Sequence, residues 1–432
     1  MLSYSDTLQR IYNLRGGIID LRLDRMDRAL ALFDHPEKQF PSFHIAGTNG
    51  KGSTAAMLHR VLSLAGYRTA LYTSPHLVSF TERIRIGDRE ISPDEVVELA
   101  ELIGERTAAA NIPLTFFEFI TVMGFVYFAR QQVEVAVVEV GLGGRLDATN
   151  LVKPLVSVIT TISKDHEAYL GSDLLSIGRE KGGIIKPGVP VVLGALPEAV
   201  VDLFKSLSRE HKAPAYFLGQ DYRIFLKNSG DFDYTGTKQN FAGLCLGLRG
   251  RHQRNNAAVA LAALEMAGER FSVPEEILRE GLKTVIWPGR FEVMLESPTV
   301  ILDGAHNGEG AKALLEAVRG YYQGKKIALL FASMEDKDWR LMLSLLAEIT
   351  NEAVLTRVKM GRSADPQKLA SFLAEKRLPH RVIEDSRVAL RSLLGSAAAD
   401  EIVLVAGSLY LLGEVRPVVQ EIANQHSPLS RL

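Results

Sequence analysis

A chain of 432 residues exceeds one ordinary domain, and at roughly 100–200 residues per domain it should hold two or three. Hydrophobic residues at 47% and charged residues at 23% are globular values, which excludes a disordered, collagen-like or coiled-coil chain. Lys and Arg number 50 against 51 Asp and Glu, so no global basic field exists to hold nucleic acid or an anionic membrane.

Arg10, Arg15, Asp20, Arg22, Asp24 and Arg25 interrupt any apolar run at the N-terminus, so no signal peptide is expected. Leu23, Met26, Leu30 and Phe33 recur at helical spacing and predict a helix over 18–33. Residues 40–46 read as a strand, 47–52 as a glycine-rich loop, and 53–65 as a helix stopped by Gly66. Further strands are expected at 69–72, 133–140, 155–161 and 189–193. The most lipid-like stretch, 114–129, carries Glu118 and is too short to span a bilayer. Residues 215–250, with Gly, aromatics and alternation, predict a small antiparallel β insertion. This region holds the single cysteine, Cys245, which excludes an internal disulfide and a cysteine metal cluster and points to a reducing, cytoplasmic setting. An Ala-rich helix follows at 256–266, then a turn at Trp287-Pro288-Gly289-Arg290. The β/α rhythm restarts with strands at 299–303, 327–331, 353–357, 380–384 and 401–406. The expected fold is α/β. A P-loop-type N-terminal domain (1–296) carries a mostly parallel sheet and the small antiparallel insertion. A Rossmann-like α/β domain (297–432) follows.

The loop Ala46-Gly47-Thr48-Asn49-Gly50-Lys51-Gly52-Ser53-Thr54 lies between a strand and a helix. Free backbone N–H groups, a positive helix N-terminus and a lysine all suit phosphate. It departs from the standard phosphate-loop string, because Ile45 stands where the first glycine belongs and Gly52 separates Lys51 from the hydroxyl. The plain alternative is a glycine turn with a surface lysine. Glu139 ends an apolar strand, where parallel sheets bind ligands and where a carboxylate suits Mg2+. Its alternative is a solvated strand end. Asp165-His166 also follows a strand, and a neutral imidazole can ligate a metal. Lys181 alone reads as a surface lysine. Asp303-Gly304-Ala305-His306-Asn307 follows the first strand of the second domain and reads either as a site or as an Asx turn capping the next helix.

Together these strings resemble one family. Ala46 to Ser53, Tyr72-Thr73-Ser74-Pro75-His76-Leu77, Glu139 to Asn150, Asp165-His166, Glu180-Lys181, Pro288-Gly289-Arg290-Phe291 and Asp303 to Asn307 run in order along nearly the whole chain. The chain resembles the folylpolyglutamate synthases and dihydrofolate synthases of the Mur ligase superfamily. The resemblance implies that the N-terminal domain is an ATPase. It assigns Thr48, Asn49, Gly50, Lys51, Gly52, Ser53, Asn256, Arg290, Asp303 and His306 to ATP. Ser74, Glu139, His166 and a carbamylated Lys181 become ligands of Mg2+, two ions in all, with Lys51, His166 and Lys181 catalytic. Thr115, Phe116, Phe117, Glu118, Leu146, Asp147 and Ala148 would line the pterin-bearing substrate, with Asp147 as an acceptor. One departure is Gly308, where the family has proline, which should loosen the start of the next helix.

The implied chemistry activates a carboxylate as an acyl phosphate that glutamate's amine then attacks, with two domains closing to exclude water. Small-molecule substrates, no nucleic acid, no membrane and a monomer are expected. The nearest alternative is a Mur peptidoglycan ligase, although the 46 residues before Gly47 leave little room for the additional domain such ligases use. The other is a nucleotide-dependent regulator that does not ligate.

Overall fold

The computed structural model describes residues 2–14, 23–227 and 230–426. Residues 18–22 of the expected first helix, together with Arg15, lie outside them; within the described part the helix is Asp24–Ala31. The chain divides into two compact units, Met1–Gly247 with Gln253–Ile286, and Leu248–His252 with Trp287–Leu432.

The first unit is built on an eight-stranded sheet. Its strands are β1 (Ser42–Ala46), β2 (Thr69–Tyr72), β3 (Ile84–Ile86), β4 (Arg89–Glu90), β5 (Val135–Glu139), β6 (Pro154–Thr161), β7 (Val191–Ala195) and β8 (Ala215–Phe217), in the order β4-β3-β2-β5-β1-β6-β7-β8. β2 to β8 run parallel through β5, β1, β6 and β7, while β3 and β4 form an antiparallel edge. β1 and β5 are buried at every position. This explains why β5 reads as continuous Val-Ala-Val-Val: a parallel strand covered on both faces has no polar side. The apolar helix Phe116–Arg130 is a core helix, packed with Phe40, Tyr72 and Val138. No helix among the described residues is long and apolar enough to cross a membrane.

The antiparallel insertion is β9 (Arg223–Leu226), β10 (Phe232–Thr235) and β11 (Asn240–Leu244), a three-stranded sheet. It is shorter than the expected 215–250, because residues 215–217 complete the parallel sheet as β8.

The second unit holds β12 (Glu292–Glu296), β13 (Thr299–Leu302), β14 (Ile327–Phe331), β15 (Glu352–Arg357), β16 (His380–Asp385) and β17 (Ile402–Ala406), ordered β12-β13-β17-β14-β15-β16. All pairings are parallel except β12 with β13. β12 has no counterpart among the expected strands. Its hairpin with β13 ties the chain to this sheet before residue 297, so the main segment of the second unit runs from Trp287, upstream of the expected boundary, and the unit also takes in Leu248–His252.

Candidate active site

The glycine loop joins β1 to the helix Lys51–Leu64. Two of its glycines are required by space and by dihedral angle. Gly47 has φ +149°, and a Cβ there would lie 1.9 Å from Thr160 Oγ1. Gly50 has φ +88°, and its Cβ would lie 2.4 Å from Asn256 Oδ1. Buried Asn256 thus abuts the loop, and its Nδ2 donates to Gln253 Oε1 at 3.0 Å. The loop is fastened to the end of β6 by hydroxyls that sequence reasoning missed. Thr48 Oγ1 accepts from Ser163 N at 3.0 Å and Asn49 N donates to Thr161 Oγ1 at 3.0 Å. Thr160 Oγ1 donates to Asn49 O at 2.6 Å. The only sequence signal was three hydroxyls, Thr160, Thr161 and Ser163, in an otherwise apolar strand end.

Two lysines meet at the Gly47 carbonyl. Lys51 Nζ donates to Gly47 O at 3.0 Å and to Thr48 O at 3.2 Å. Lys181 Nζ, in the last turn of the helix Leu174–Gly182, donates to the same Gly47 O at 3.1 Å. Lys181 is buried, so it is not the surface lysine its sequence context suggested. Burial first, and the charge of Lys51 second, push its amine from 10.5 down to about 7, with Asp165 and Asp147 acting in the opposite sense.

β2 and β5 are parallel neighbours, so their carboxyl ends bring Ser74 and Glu139 together. Ser74 N donates to Glu139 Oε2 at 3.2 Å, and Glu139 is buried rather than a solvated strand end. His166 is exposed at φ +52°, its backbone N donating to Asp165 Oδ1 at 2.8 Å and its Nε2 3.9 Å from that oxygen. Among the described residues no three His, Cys, Asp or Glu side chains form a ready-made metal cluster. A hydroxyl and one carboxylate suit Mg2+, which takes one or two protein carboxylates and fills its octahedron with water and phosphate.

The residues expected to face the pterin divide by role. Thr115 caps the helix Phe116–Arg130 in a reciprocal box with Glu118. Arg25 grips Glu118 with Nη2 at 2.7 Å and Nε at 3.0 Å from both oxygens. Phe116 stacks on Tyr12 at 5.4 Å, and the Phe117 ring fills the space beside Gly141, where a Cβ would meet it at 2.3 Å. Both rings are half-buried against the core. Leu146 is half-buried and Ala148 buried.

Asp147 corrects the expectation of a free acceptor. Its Oδ1 accepts from Thr149 N at 3.0 Å and Thr149 Oγ1 at 2.5 Å, and its Oδ2 from Leu142 N at 2.9 Å. These three donors engage both oxygens of the carboxylate, three of its roughly four lone-pair sites. Asp147 therefore folds the 141–152 loop; the physical reason for the difference is that a Gly-rich loop exposes backbone N–H groups that need an internal acceptor.

In the second unit Asp303 is likewise committed. Buried, it accepts from Phe291 N at 2.8 Å and from Ala305 N at 2.9 Å, an Asx turn, and burial pushes its carboxyl up against the pull of Arg290. The cap of the next helix is Asn307, not Asp303. Arg290 packs on Gly304, and His306 Nδ1 lies 2.8 Å from Gly304 O, so both gather around that turn.

The two α/β units and the loop define a Mur ligase: residues 45–264 match the Mur ligase middle domain, and residues 289–409 match the Mur ligase, glutamate ligase domain. The chain is 34% identical over 427 residues to the dihydrofolate synthase/folylpolyglutamate synthase of Bacillus subtilis (strain 168), covering 96% of this chain and 98% of that protein. It is 33% identical over 430 residues to the folylpolyglutamate synthase of Lacticaseibacillus casei, covering 96% and 98%. E. coli FolC in complex with DHPP and ADP is similar at TM-score 0.90 and 32% identity, with 99% of each chain covered. The Yersinia pestis bifunctional enzyme complexed with AMPPNP and Mn ion is similar at TM-score 0.86 and 32% identity, again with 99% of each covered. Within the Mur ligases, the chain belongs to the folylpolyglutamate synthase/dihydrofolate synthase family.

Proposed function

We propose that this chain is an ATP-dependent ligase that joins L-glutamate to folates, building γ-linked polyglutamates, and to dihydropteroate, giving dihydrofolate. The observation that carries the reading is the meeting of Lys51 and buried Lys181 at the Gly47 carbonyl, on a loop whose N–H groups open a helix. Such a loop, with a point charge beside it, suits the phosphates of ATP.

In this reading the γ-phosphoryl group passes from ATP to the substrate carboxylate, leaving ADP and an acyl phosphate. Glutamate's amine adds to the acyl carbon, the amine loses its proton, and phosphate leaves. Lys51 holds the phosphates, Asn256 and the Thr160–Ser163 clamp keep residues 48–53 in shape, and the family resemblance assigns Arg290, Asp303 and His306 to ATP as well. Bound at Ser74, Glu139, His166 and a carbamylated Lys181, Mg2+ ions would neutralise charge on the phosphoryl oxygens. An amine near 7 favours the carbamate, because the unprotonated form needed to add to CO2 is abundant at neutral pH. Phe116, Phe117, Leu146 and Ala148 offer the pterin apolar and backbone surface, while Thr115, Glu118 and Asp147 shape it. The chain acts as a monomer in the cytoplasm, a setting that keeps its exposed Cys245 reduced.

The test is ATP turnover with dihydropteroate or tetrahydrofolate, each with and without glutamate. ADP release that needs the pterin acceptor and glutamate together is expected. Hydrolysis indifferent to both would refute ligation, and turnover with tetrahydrofolate alone would remove the dihydropteroate activity.

A further inference from the structure

His44 lies in the centre of β1, in register with Val138 on β5 and Ser157 on β6, and is fully buried. A central parallel strand favours apolar side chains at such a position. Its Nε2 lies 2.9 Å from Thr149 Oγ1, while its Nδ1 is buried with no hydrogen-bond partner among the described residues. The Thr149 hydroxyl has one proton, and the 2.5 Å contact to Asp147 Oδ1 takes it. Thr149 must then accept from His44, which fixes the imidazole as the Nε2–H tautomer. Burial, reinforced by Lys186, pushes His44 down to about 3, so the ring is neutral.

We infer that His44 is a positioning residue for the pterin-bearing substrate: its Nε2–H, passed on through the Thr149 hydroxyl, holds Asp147 in the rotamer that closes the 141–152 loop. The inference rests on the functional reading above, which places the pterin against Leu146 and Ala148. The other fastenings of this loop reach its flanks. Asn150 Nδ2 donates to Arg145 O at 2.8 Å and Gly183 O at 3.0 Å, and Lys186 Nζ donates to Asn150 O at 2.8 Å. The His44 relay reaches Asp147 itself, whose carboxylate ties residue 149 to residue 142. A hydrophobic residue at position 44 would pack the strand equally well but would leave Thr149 without its donor.

The experiment compares Thr149→Val, Thr149→Ser and His44→Leu with wild type, measuring KM for dihydropteroate, tetrahydrofolate and ATP. Removing the relay should raise KM for the pterin substrates about tenfold, the scale of one hydrogen bond to a charged group. KM for ATP and kcat should stay within about twofold. Thr149→Ser, which keeps the hydroxyl, should restore the pterin KM. His44→Leu combined with Thr149→Val should be no worse than either alone, since both cut one relay. An unchanged pterin KM in Thr149→Val, a parallel rise in the ATP KM, or failure of serine to rescue would overturn the relay. Should His44→Leu not fold, the valine and serine variants decide alone. Wild type lacking any pterin-dependent turnover is a separate result: it would overturn the functional reading, and the relay with it.

Discussion

Gly50→Ala tests whether Asn256 and the glycine loop form one packed unit. Gly50 sits at φ +88° and ψ −11°, and an L-residue in the left-handed region costs roughly 1–2 kcal/mol. Its Cβ would lie 2.4 Å from Asn256 Oδ1, and forcing an atom into a filled site adds roughly 1–3 kcal/mol. The stiffer unfolded chain returns about 0.4–1 kcal/mol, so the net loss is about 2–4 kcal/mol. Asn256→Ala alone removes the bond to Gln253 Oε1 and should cost about 1–3 kcal/mol, because Gln253 is 1% exposed. In the double variant the clash disappears while the backbone strain stays, so the double should be about 1–3 kcal/mol more stable than the sum of the singles predicts. Urea unfolding of the four proteins measures this coupling, and KM for ATP should rise in Gly50→Ala as the loop shifts. Additivity within about 0.5 kcal/mol would show that the two residues do not meet, and would remove the case for Asn256 at the nucleotide loop.

Lys51→Ala should abolish ATP-dependent ligation with unchanged circular dichroism, since among the described residues the side chain bonds the Gly47 and Thr48 carbonyls of its own loop alone; near-normal turnover would sink the phosphate-loop reading. Lys181→Met should be inactive yet, in bicarbonate-free buffer near neutral pH, more stable than wild type by a few kcal/mol. The sign follows from linkage: folded Lys181 titrates near 7 and an unfolded lysine near 10.5, so the native state binds fewer protons between those values. The penalty of burial is full below about 7 and fades as pH rises towards 10.5. Urea midpoints near pH 6.5 and 9.5 should show the gap narrowing, and a labelled-bicarbonate carbamate signal should appear only with Lys181 present. Arg25→Leu should lower stability by about 3 kcal/mol, because it strands a Glu118 carboxylate that is 5% exposed; adding Glu118→Leu should recover part of the loss in a thermal melt.

What was legible in the chain followed from punctuation and period. Short apolar runs, β-branched in β5, β6 and β17, marked the central strands, and Gly-rich breaks after β1 and β5 marked Lys51 and Glu139 as residues at the sheet's carboxyl edge. Roles that depend on a distant partner were not legible. Glu118 is set by Arg25, 93 residues away, and Thr149 by His44, 105 away. Nothing local distinguishes a carboxylate that awaits a ligand from one that satisfies its own loop, and Asp147 and Asp303 are both of the second kind. β12 escaped because Glu-Val-Met-Leu-Glu is a half-exposed edge strand with charges at both ends, held by pairing with β13 rather than by burial.

Gly308 shows how a departure from a family pattern can be absorbed by packing. A glycine at the first position of a helix sacrifices the preset φ that proline supplies, and the expected consequence is a loose helix start. The start is nonetheless closed: Asn307 Oδ1 accepts from Gly310 N at 2.8 Å, and Ala311 N reaches Asn307 O at 2.9 Å. The space a side chain would occupy is taken instead. A Cβ on Gly308 would lie 2.5 Å from Leu341 Cδ2, on the helix Trp339–Ala347 that packs against this one. The leucine covers the first turn from outside, so the ordering that a proline ring would give from within the backbone comes from a neighbouring helix. A proline ring at 308 would meet the tip of the Leu341 side chain, which is 46% exposed and can turn aside, so the two positions are coupled through that one rotamer.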